Sequence, residues 1–229
     1  QLERNIRGSS MKKAKLTAVV PVRAGSQRVK DKNIKPFANS NLLKIKLNVL
    51  KSIPTIDEVI VNSDSEYMLN IGKECGVNTH KREDYFASSE CNNSDYFQHI
   101  AEVTDSDYIM YSPVTAPLVS KETYFSCVDK FINSDINNLV TVSDVKHHMW
   151  LNGKPLNYNP KKAPNSQDLP DIVSINYGIC IIGRDDMIKS RNIVTENPYF
   201  YKLDEIESMD IDTEFDFMVA EHVYNKLRR

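Results

Sequence analysis

Short apolar runs alternate with longer helical patterns along most of this chain, and this alternation limits the possible folds more than any other feature. Leu16–Pro21 is an apolar run of strand length, whereas the spacing of apolar residues over 42–50 predicts a helix. Residues 57–62 form a second short strand pattern, followed by a helical pattern over 66–75. A strand–helix–strand–helix order predicts a parallel sheet covered by helices on both faces.

The alternation continues until an irregular stretch in the second half of the chain. The remaining predicted strands are 77–80, Tyr108–Tyr111, 138–142 and 179–182, and the remaining predicted helices are 94–103, Lys121–Ile132 and Glu214–Leu227. Residues 147–170 contain one glycine and four prolines, which predicts a protruding arm or insertion instead of a core element. We therefore expect an α/β, Rossmann-like fold with one domain over 11–229 and an arm at about 147–170.

The first ten residues are a separate case. They precede Met11 and contain Gly8-Ser9-Ser10, so we expect residues 1–10 to be a remnant of an expression vector. No apolar run approaches the roughly 20 residues of a membrane span, and no charged–apolar–small signal pattern is present. We therefore expect no membrane partner.

Charge and cysteine content exclude other classes of function. The formal net charge of −2 provides no basic field for nucleic acid, so we expect no nucleic-acid partner. The four cysteines are widely scattered and form no Cys-x-x-Cys pair, which matches neither a disulfide framework nor a zinc site. Reduced thiols of this kind predict a cytoplasmic protein.

The segment directly after the first predicted strand concentrates positive charge around a Gly-Ser turn. Gly25 lets a backbone approach a phosphate closely, and Ser26 can donate a hydrogen bond to it. Arg23, Arg28 and Lys32 can neutralise the charge of a triphosphate. The segment lacks both the Gly-x4-Gly-Lys-Ser/Thr pattern of a P-loop and the Gly-x-Gly-x-x-Gly dinucleotide pattern. A solvated basic turn is the alternative interpretation.

Three polar segments follow predicted strands and are expected to share one edge of the sheet. They are 23–32, 62–65 and 112–115. In open parallel sheets, ligands bind beyond the carboxyl ends of the strands. The sequence therefore predicts a ligand site built from these three segments.

At this point the chain resembles the CMP-sugar synthetases, which couple CTP to an acidic sugar. The resemblance begins with the phosphate segment over 20–33, Val-Pro-Val-Arg-Ala-Gly-Ser-Gln-Arg-x-x-x-Lys-Asn. It ends with Asp-Ile-Asp-Thr-Glu-Phe-Asp over 210–216. Weaker matches lie between these two segments, at 61–64, 81–88, 112–118 and 167–178. The resemblance implies a nucleotidyltransferase-type fold whose arm pairs two copies into a homodimer.

The resemblance also implies roles for individual residues. Arg23, Lys32 and Asp212 would serve catalysis, and Asp210 with Asp212 would bind Mg²⁺. The residues that would contact the nucleotide are Ser26, Gln27, Arg28, Asn33, Arg82 and Ser112. The expected reaction is transfer of CMP from CTP to a small acidic acceptor, with release of pyrophosphate, for a bacterial surface glycan. In the alternative interpretation, Asp210 and Asp212 cap the last helix and bind no metal.

The acceptor half of the site departs from the family pattern. Ser112 replaces a glutamine and Ser174 replaces an arginine that would grip the acceptor's carboxylate, while Gln27 replaces a frequent lysine. Losing that arginine removes a charge-assisted contact of roughly 1.5–3 kcal/mol. We therefore expect an acceptor other than N-acetylneuraminate. A phosphorylated acceptor giving a CDP-type product, or a catalytically silent nucleotide-binding module, are the alternatives.

Overall fold

The computed structural model describes residues 13–227, so the expected vector remnant at 1–10 lies outside the described residues. The strands are β1 Leu16–Pro21, β2 Pro36–Phe37, β3 Ser40–Asn41, β4 Glu58–Ser63, β5 Asn78–Lys81, β6 Tyr108–Tyr111, β7 Asn138–Val145, β8 Trp150–Leu151, β9 Lys154–Pro155, β10 Ile172–Gly183 and β11 Tyr199–Lys202. The helices are α1 Leu42–Lys51, α2 Glu66–Glu74, α3 Asp84–Ala87, α4 Asn93–Val103, α5 Lys121–Ile132, α6 Arg184–Ser190 and α7 Glu214–Leu227. Two 3₁₀ turns, Pro160–Lys162 and Ser166–Asp168, lie in the predicted arm.

The central sheet has seven strands in the order β11-β7-β10-β6-β1-β4-β5. Strands β4 and β6 both run parallel to β1, and β5 and β11 run parallel to their own neighbours. Only β10, among the strands of this sheet in residues 13–227, is antiparallel to the strands beside it. This arrangement confirms the predicted α/β fold with a mainly parallel sheet.

Strand β1 is buried on both of its faces, as a central parallel strand should be. Val20 packs with Leu47 of α1 in one apolar cluster, whereas Val19 packs with Ile100 of α4 and Met187 of α6 in another. Because successive side chains of a strand point to opposite faces, these two clusters lie on opposite sides of the sheet. Helices therefore cover both faces, as the sequence predicts.

Side-chain caps explain where several helices begin. The side chains of Asn41, Ser65 and Ser120 each accept a hydrogen bond from a backbone N–H in the first turn of α1, α2 and α5. The sequence prediction missed α6 and β11, and it placed the start of β10 at residue 179 although the strand begins at Ile172.

Strand order reverses at β1, which has β4 on one side and β6 on the other. Such a switch point opens a crevice at the carboxyl ends of the strands. Strands β7 and β10 extend beyond this edge and carry the irregular segment 146–171, which includes the β8–β9 hairpin. Trp150, Leu151 and Leu156 of this segment are exposed. The arm therefore stands beside the crevice, and its role in dimerisation stays a prediction.

The described residues 13–227 include no helix that is long and apolar enough to span a bilayer. All four cysteines are free, and Cys127 and Cys180 are buried. The absence of pairing agrees with the scattered spacing in the sequence.

Candidate active site

Two adjoining cavities open at the carboxyl end of β1. The first, of about 400 Å³, has Arg82, Phe86, Tyr96 and Tyr111 in its wall, and we call it the tyrosine cavity. The second, of about 480 Å³, lies along residues 25–33, and we call it the loop cavity. Pro21, Arg23 and Ser89 line both, so the two cavities lie side by side. Together they provide room for an elongated polar ligand.

The loop cavity is shaped by a backbone that side chains hold in place. Gly25 has φ +76°, a conformation that costs an L side chain free energy, and open space lies around it. The backbone N–H of Ala24 donates to Asp64 Oδ1 at 3.0 Å, and Asn33 Nδ2 donates to the carbonyl of Arg23 at 3.1 Å. These contacts fix the start of the loop from the end of β4 and from the loop's own later part.

Most of the predicted nucleotide-contacting residues line this cavity. They are Ser26, Gln27, Arg28 and Asn33, and the predicted catalytic residues Arg23 and Lys32 line it as well. Arg23 Nη1 also donates to the carbonyl of Ala87 at 3.1 Å, which places its guanidinium between the two cavities. The alternative of a merely solvated turn does not account for a concave wall with this composition.

The acidic segment near the end of the chain lies against this basic loop. Arg28 Nη2 forms an ion pair with Asp212 Oδ1 at 2.8 Å. Lys32 Nζ donates to the carbonyl of Ile211 at 2.9 Å, although the two residues are 179 positions apart. The N–H of Ile211 donates to the carbonyl of Thr115 at the end of β6. The structure therefore brings both ends of the chain to one site.

Charges in this cluster influence one another. Burial lowers the pKa of Lys32, although the nearby carboxylates of Asp212 and Asp210 oppose the shift. Burial raises the pKa of Asp210, and the charge of Asp212 adds to the rise against a hydrogen bond from Thr115. Two carboxylates held this way favour a cation beside them, because each raises the free energy of the other's charge.

Helix capping is carried out by other residues than the two aspartates. Thr213 Oγ1 accepts from the N–H of Asp216, and Asp216 Oδ2 accepts from the N–H groups of Asp212 and Thr213. Burial alone would raise the pKa of Asp216, but the hydrogen bonds from these backbone N–H groups outweigh it and lower the pKa. This reciprocal arrangement is a capping box, so Asp216 is structural and the carboxylates of Asp210 and Asp212 are left for other partners.

The donor set fits a hard divalent cation such as Mg²⁺. Asp210 and Asp212 supply carboxylate oxygens, and Mg²⁺ is commonly bound by one or two carboxylates together with phosphates and water. Within residues 13–227 there is no group of three or more His, Cys, Asp or Glu side chains arranged for a metal. Phosphate and water oxygens would therefore have to complete the coordination.

The tyrosine cavity is built around Arg82, whose residue surface is 3% exposed. Arg82 Nε donates to Asn62 Oδ1 at 2.8 Å, and Nη2 donates to the carbonyl of Asn62 at 2.9 Å. The guanidinium also stacks over the ring of Tyr96 at 4.4 Å. A planar, buried and fully oriented cation of this kind can read a polar heterocycle.

Ser112 is the predicted contact that the structure places least favourably. Its hydroxyl donates to the carbonyl of Met110 at 3.3 Å, and the residue is 1% exposed. Pro113, Val114 and Thr115, rather than Ser112, line the loop cavity. A role for Ser112 in nucleotide binding stays a prediction.

The sequence prediction also missed several residues of the tyrosine cavity. Phe86 and Tyr96 lie on α3 and α4, and Tyr111 ends β6. No spacing pattern links them, because they meet only after α4 packs against the sheet. Aromatic residues in such helices more often form core contacts, so sequence alone gave no signal for them.

Comparison with known proteins identifies the family. A family model described as cytidylyltransferase matches residues 17–164. The post-translational flagellin modification protein B of Campylobacter coli is 22% identical over 226 residues, covering 91% of this chain and 94% of that protein. The N-acylneuraminate cytidylyltransferase of Streptococcus agalactiae is 23% identical over 217 residues, covering 90% of this chain and 52% of that enzyme. The chain thus spans about half the length of the streptococcal relative.

Solved structures support the same fold. A CMP-2-keto-3-deoxy-manno-octonic acid synthetase complexed with CTP aligns with a TM-score of 0.68 at 10% identity, covering 93% of this chain and 100% of that one. The 4-diphosphocytidyl-2C-methyl-D-erythritol synthase of Anaerococcus prevotii aligns with a TM-score of 0.68 at 13% identity, covering 94% and 97%. The family match over residues 17–164 and the shared fold show that this chain belongs to the cytidylyltransferase family.

Proposed function

We propose that this chain transfers CMP from CTP to an acidic sugar and releases pyrophosphate, as one step in the synthesis of a bacterial surface glycan. The observation that carries the proposal is the contact between the basic loop and the acidic segment, through Arg28–Asp212 and Lys32–Ile211. The loop cavity at this contact adjoins the tyrosine cavity, which is large enough for a nucleoside. A triphosphate in the loop cavity would then place its nucleoside against Arg82.

The reaction forms a bond between an acceptor oxygen and the α-phosphorus of CTP. The bond from that phosphorus to the bridging oxygen breaks, and pyrophosphate leaves with the electron pair. Negative charge grows on the phosphoryl oxygens and on the leaving group, so oriented cations stabilise the transition state. We assign this task to Arg23 and Lys32, with Ser26 and Arg28 holding the phosphates.

Asp210 and Asp212 would hold Mg²⁺ in this proposal. A bound Mg²⁺ supplies charge neutralisation at the phosphates and stabilises the leaving pyrophosphate. Arg28 already pairs with Asp212 and would orient this carboxylate. Lys32, which is half-buried and hydrogen-bonded to the backbone beside Asp212, would keep the same group fixed.

The acceptor is proposed to be an acidic sugar other than N-acetylneuraminate. Ser174, at the position where the family resemblance implies an arginine, is exposed on β10 and pairs with Ser143 of β7. Two short hydroxyl side chains cannot grip a carboxylate as a guanidinium does. The relatives include a pseudaminic acid cytidylyltransferase of Campylobacter jejuni, 24% identical over 135 residues and covering 56% of this chain and 58% of that enzyme, which supports a different nine-carbon acid.

Pyrophosphate release tests this proposal. The protein is incubated with CTP, Mg²⁺ and one of three acceptors: pseudaminic acid, 2-keto-3-deoxy-manno-octonic acid or N-acetylneuraminate. We expect turnover with one of the first two and at least about tenfold lower kcat/KM with N-acetylneuraminate, because Ser112 and Ser174 replace the glutamine and arginine that the family resemblance implies for holding that acceptor. Reactions without acceptor measure background hydrolysis. Efficient turnover of N-acetylneuraminate would contradict the proposed acceptor.

A phosphorylated acceptor is the second candidate, and Ser174 is the observation that favours it. Without that arginine, the site lacks one contact that would favour a carboxylate over a phosphate. The product would then contain a pyrophosphate linkage in place of a single bridging phosphate. Mass spectrometry of the product distinguishes the two candidates.

We also propose that two copies pair through the arm and that the protein works in the cytoplasm. The arm exposes Trp150 (56%), Leu151 (57%) and Leu156 (52%), an apolar surface suited to a subunit contact.

CTP is a cytoplasmic metabolite, and four unpaired cysteines suit a reducing compartment. The arm and the remainder of 11–229 are proposed to act as one domain.

A further inference from the structure

We propose that Asn62 is a positioning residue for the nucleoside half of the site, because it orients the guanidinium of Arg82 toward the tyrosine cavity. The inference rests on the proposed CTP site. Asn62 lies in β4 one residue before its carboxyl end, and its surface is 1% exposed. The sequence analysis places Asn62 in the polar segment 62–65 of the predicted ligand site but assigns it no role of its own.

Asn62 holds two of the three guanidinium nitrogens of Arg82. Its side-chain oxygen accepts from Nε at 2.8 Å, and its backbone oxygen accepts from Nη2 at 2.9 Å. The carbonyl of Val22 lies 3.4 Å from the same Nη2. Among residues 13–227, no acceptor engages Nη1, so its two N–H groups remain for a ligand in the cavity that Arg82 lines.

The orientation of the Asn62 amide is fixed by its other contacts. Arg82 Nε can only donate, so the Asn62 atom that it contacts at 2.8 Å must be the amide oxygen, and Tyr96 Oη donates to the same oxygen at 3.2 Å. Nδ2 lies 3.2 Å from His80 Nδ1. Because Nδ2 can only donate, His80 Nδ1 must accept, which places the ring proton on Nε2.

These contacts make one buried network behind the cavity wall. Tyr96 contributes its hydroxyl to Asn62 and its ring to one face of the Arg82 guanidinium, so the same residue supports both partners. A ligand that meets an already oriented cation loses less side-chain entropy on binding. Asn62 therefore acts on affinity through Arg82 and touches no ligand itself.

The test compares two buried asparagines. Asn62→Leu removes the acceptor for Arg82, and Asn138→Leu is the matched control. Asn138 is also 1% exposed. Its amide nitrogen donates to the carbonyl of Ile181 on β10 and to the carbonyl of Ile193 after α6, away from both cavities. Each variant is measured for melting temperature and for affinity toward CTP with Mg²⁺ and toward inorganic tripolyphosphate.

We expect both leucine variants to lose stability, but only Asn62→Leu to lose CTP affinity, by about tenfold. Its affinity for tripolyphosphate should stay within about twofold of wild type, because that probe occupies the loop cavity alone. Asn62→Asp, which keeps the acceptor oxygen, should bind CTP within about threefold of wild type and covers the case in which the leucine variant does not fold.

Three outcomes would overturn parts of this account in distinguishable ways. Asn62 has no positioning role if Asn62→Leu lowers the affinity for CTP and for tripolyphosphate to the same degree. The same holds if Asn62→Asp loses as much CTP affinity as Asn62→Leu. If Asn138→Leu loses CTP affinity to the same degree, the effect is loss of stability alone. If the wild-type protein does not bind CTP, the proposed function itself is wrong.

Discussion

At the scale of single residues, Lys46 shows how a buried charge supports the site from behind. It lies on α1, it is 1% exposed, and its Nζ donates to the carbonyl of Ala116 at 3.2 Å and to the hydroxyl of Tyr124. Ala116 directly follows the segment that lines the loop cavity. Burial lowers the pKa of Lys46 to about 7. Lys46 thus ties α1 and α5 to the cavity wall at a cost in stability.

This cost depends on pH, and its sign can be derived. Above pH 7 the native protein releases the proton of Lys46, whereas the unfolded chain keeps it until about pH 10.5. The free energy of unfolding therefore rises with pH between about pH 7 and pH 10.5. Below pH 7 the native protein bears the full free-energy cost of burying a charged lysine. Lys46→Met removes the penalty, so its stability relative to wild type should fall by about 1–2 kcal/mol between pH 7 and pH 9.

Urea unfolding of both proteins at pH 7, 8 and 9 measures this difference. Asn48→Met, an exposed and uncharged position on the same helix, serves as the control because it cannot titrate. A stability difference between Lys46→Met and wild type that stays constant with pH would contradict a buried, titrating lysine.

Lys46 also marks a limit of sequence prediction at the residue scale. The apolar positions of the helix, Leu42, Leu43, Leu47 and Leu50, repeat with a period that includes position 46 on the buried face. Residue type argues the opposite, because lysine is almost never fully buried without a partner. The partners are Ala116 and Tyr124, and their proximity depends on tertiary structure alone.

At the scale of elements, helix α2 is set unusually close to the sheet. A Cβ added to Gly72 would lie 2.9 Å from Val61 Cγ2 and 3.2 Å from Thr79 Cγ2. Val61 and Thr79 belong to β4 and β5, whose carboxyl ends carry the nucleoside side of the site. The glycine therefore sets the distance between this helix and the strands that position Asn62 and Arg82.

Gly72→Ala should lower the free energy of unfolding by about 1 kcal/mol. Alanine gains up to about 1 kcal/mol in helix propensity, but overpacking against a stiff, β-branched Val61 costs about 1–3 kcal/mol. Asn70→Ala, an exposed position in the same helix, is the control and should be neutral or stabilising. Chemical denaturation measures both, and a stabilised Gly72→Ala protein would show that the helix can shift freely.

Elements with a continuous run or a regular period of buried apolar residues were predicted well, and elements without either were missed. Helix α6 has seven residues and buries only Met187, so it offers no apolar period. Strand β11 is a mostly exposed edge strand. The first half of β10 is interrupted by a register shift between Ile175 and Cys180, where Tyr177 adopts φ +55°. This bulge breaks the alternation that predicts a strand.

At the scale of the whole molecule, the site joins segments from both ends of the chain. The loop after β1 and the segment before α7 could be recognised separately, because each carries a charge pattern and a family resemblance. The structure brings them together through the ion pair of Arg28 and Asp212. The tyrosine cavity could not be predicted, since Arg82 and Tyr96 meet only through the packing of α4 against β4 and β5.

The central claim is that Asp212 and the basic loop share one metal–triphosphate complex, and the Mg²⁺ dependence of CTP affinity tests it most directly. Calorimetry compares wild type with Asp212→Asn and with Asp144→Asn. Asp144 is the matched control. Its side chain is 44% exposed and forms an ion pair with Lys202 at 2.8 Å. The side chain of Asp212 is 45% exposed and forms an ion pair with Arg28 at the same distance.

Without Mg²⁺, Asp212→Asn should bind CTP more tightly than wild type, because a negative charge near the phosphates is gone. With Mg²⁺, wild type and Asp144→Asn should gain at least about tenfold in affinity, whereas Asp212→Asn should gain less than about threefold. An Asp212→Asn protein that gains as much CTP affinity from Mg²⁺ as wild type would contradict the shared site.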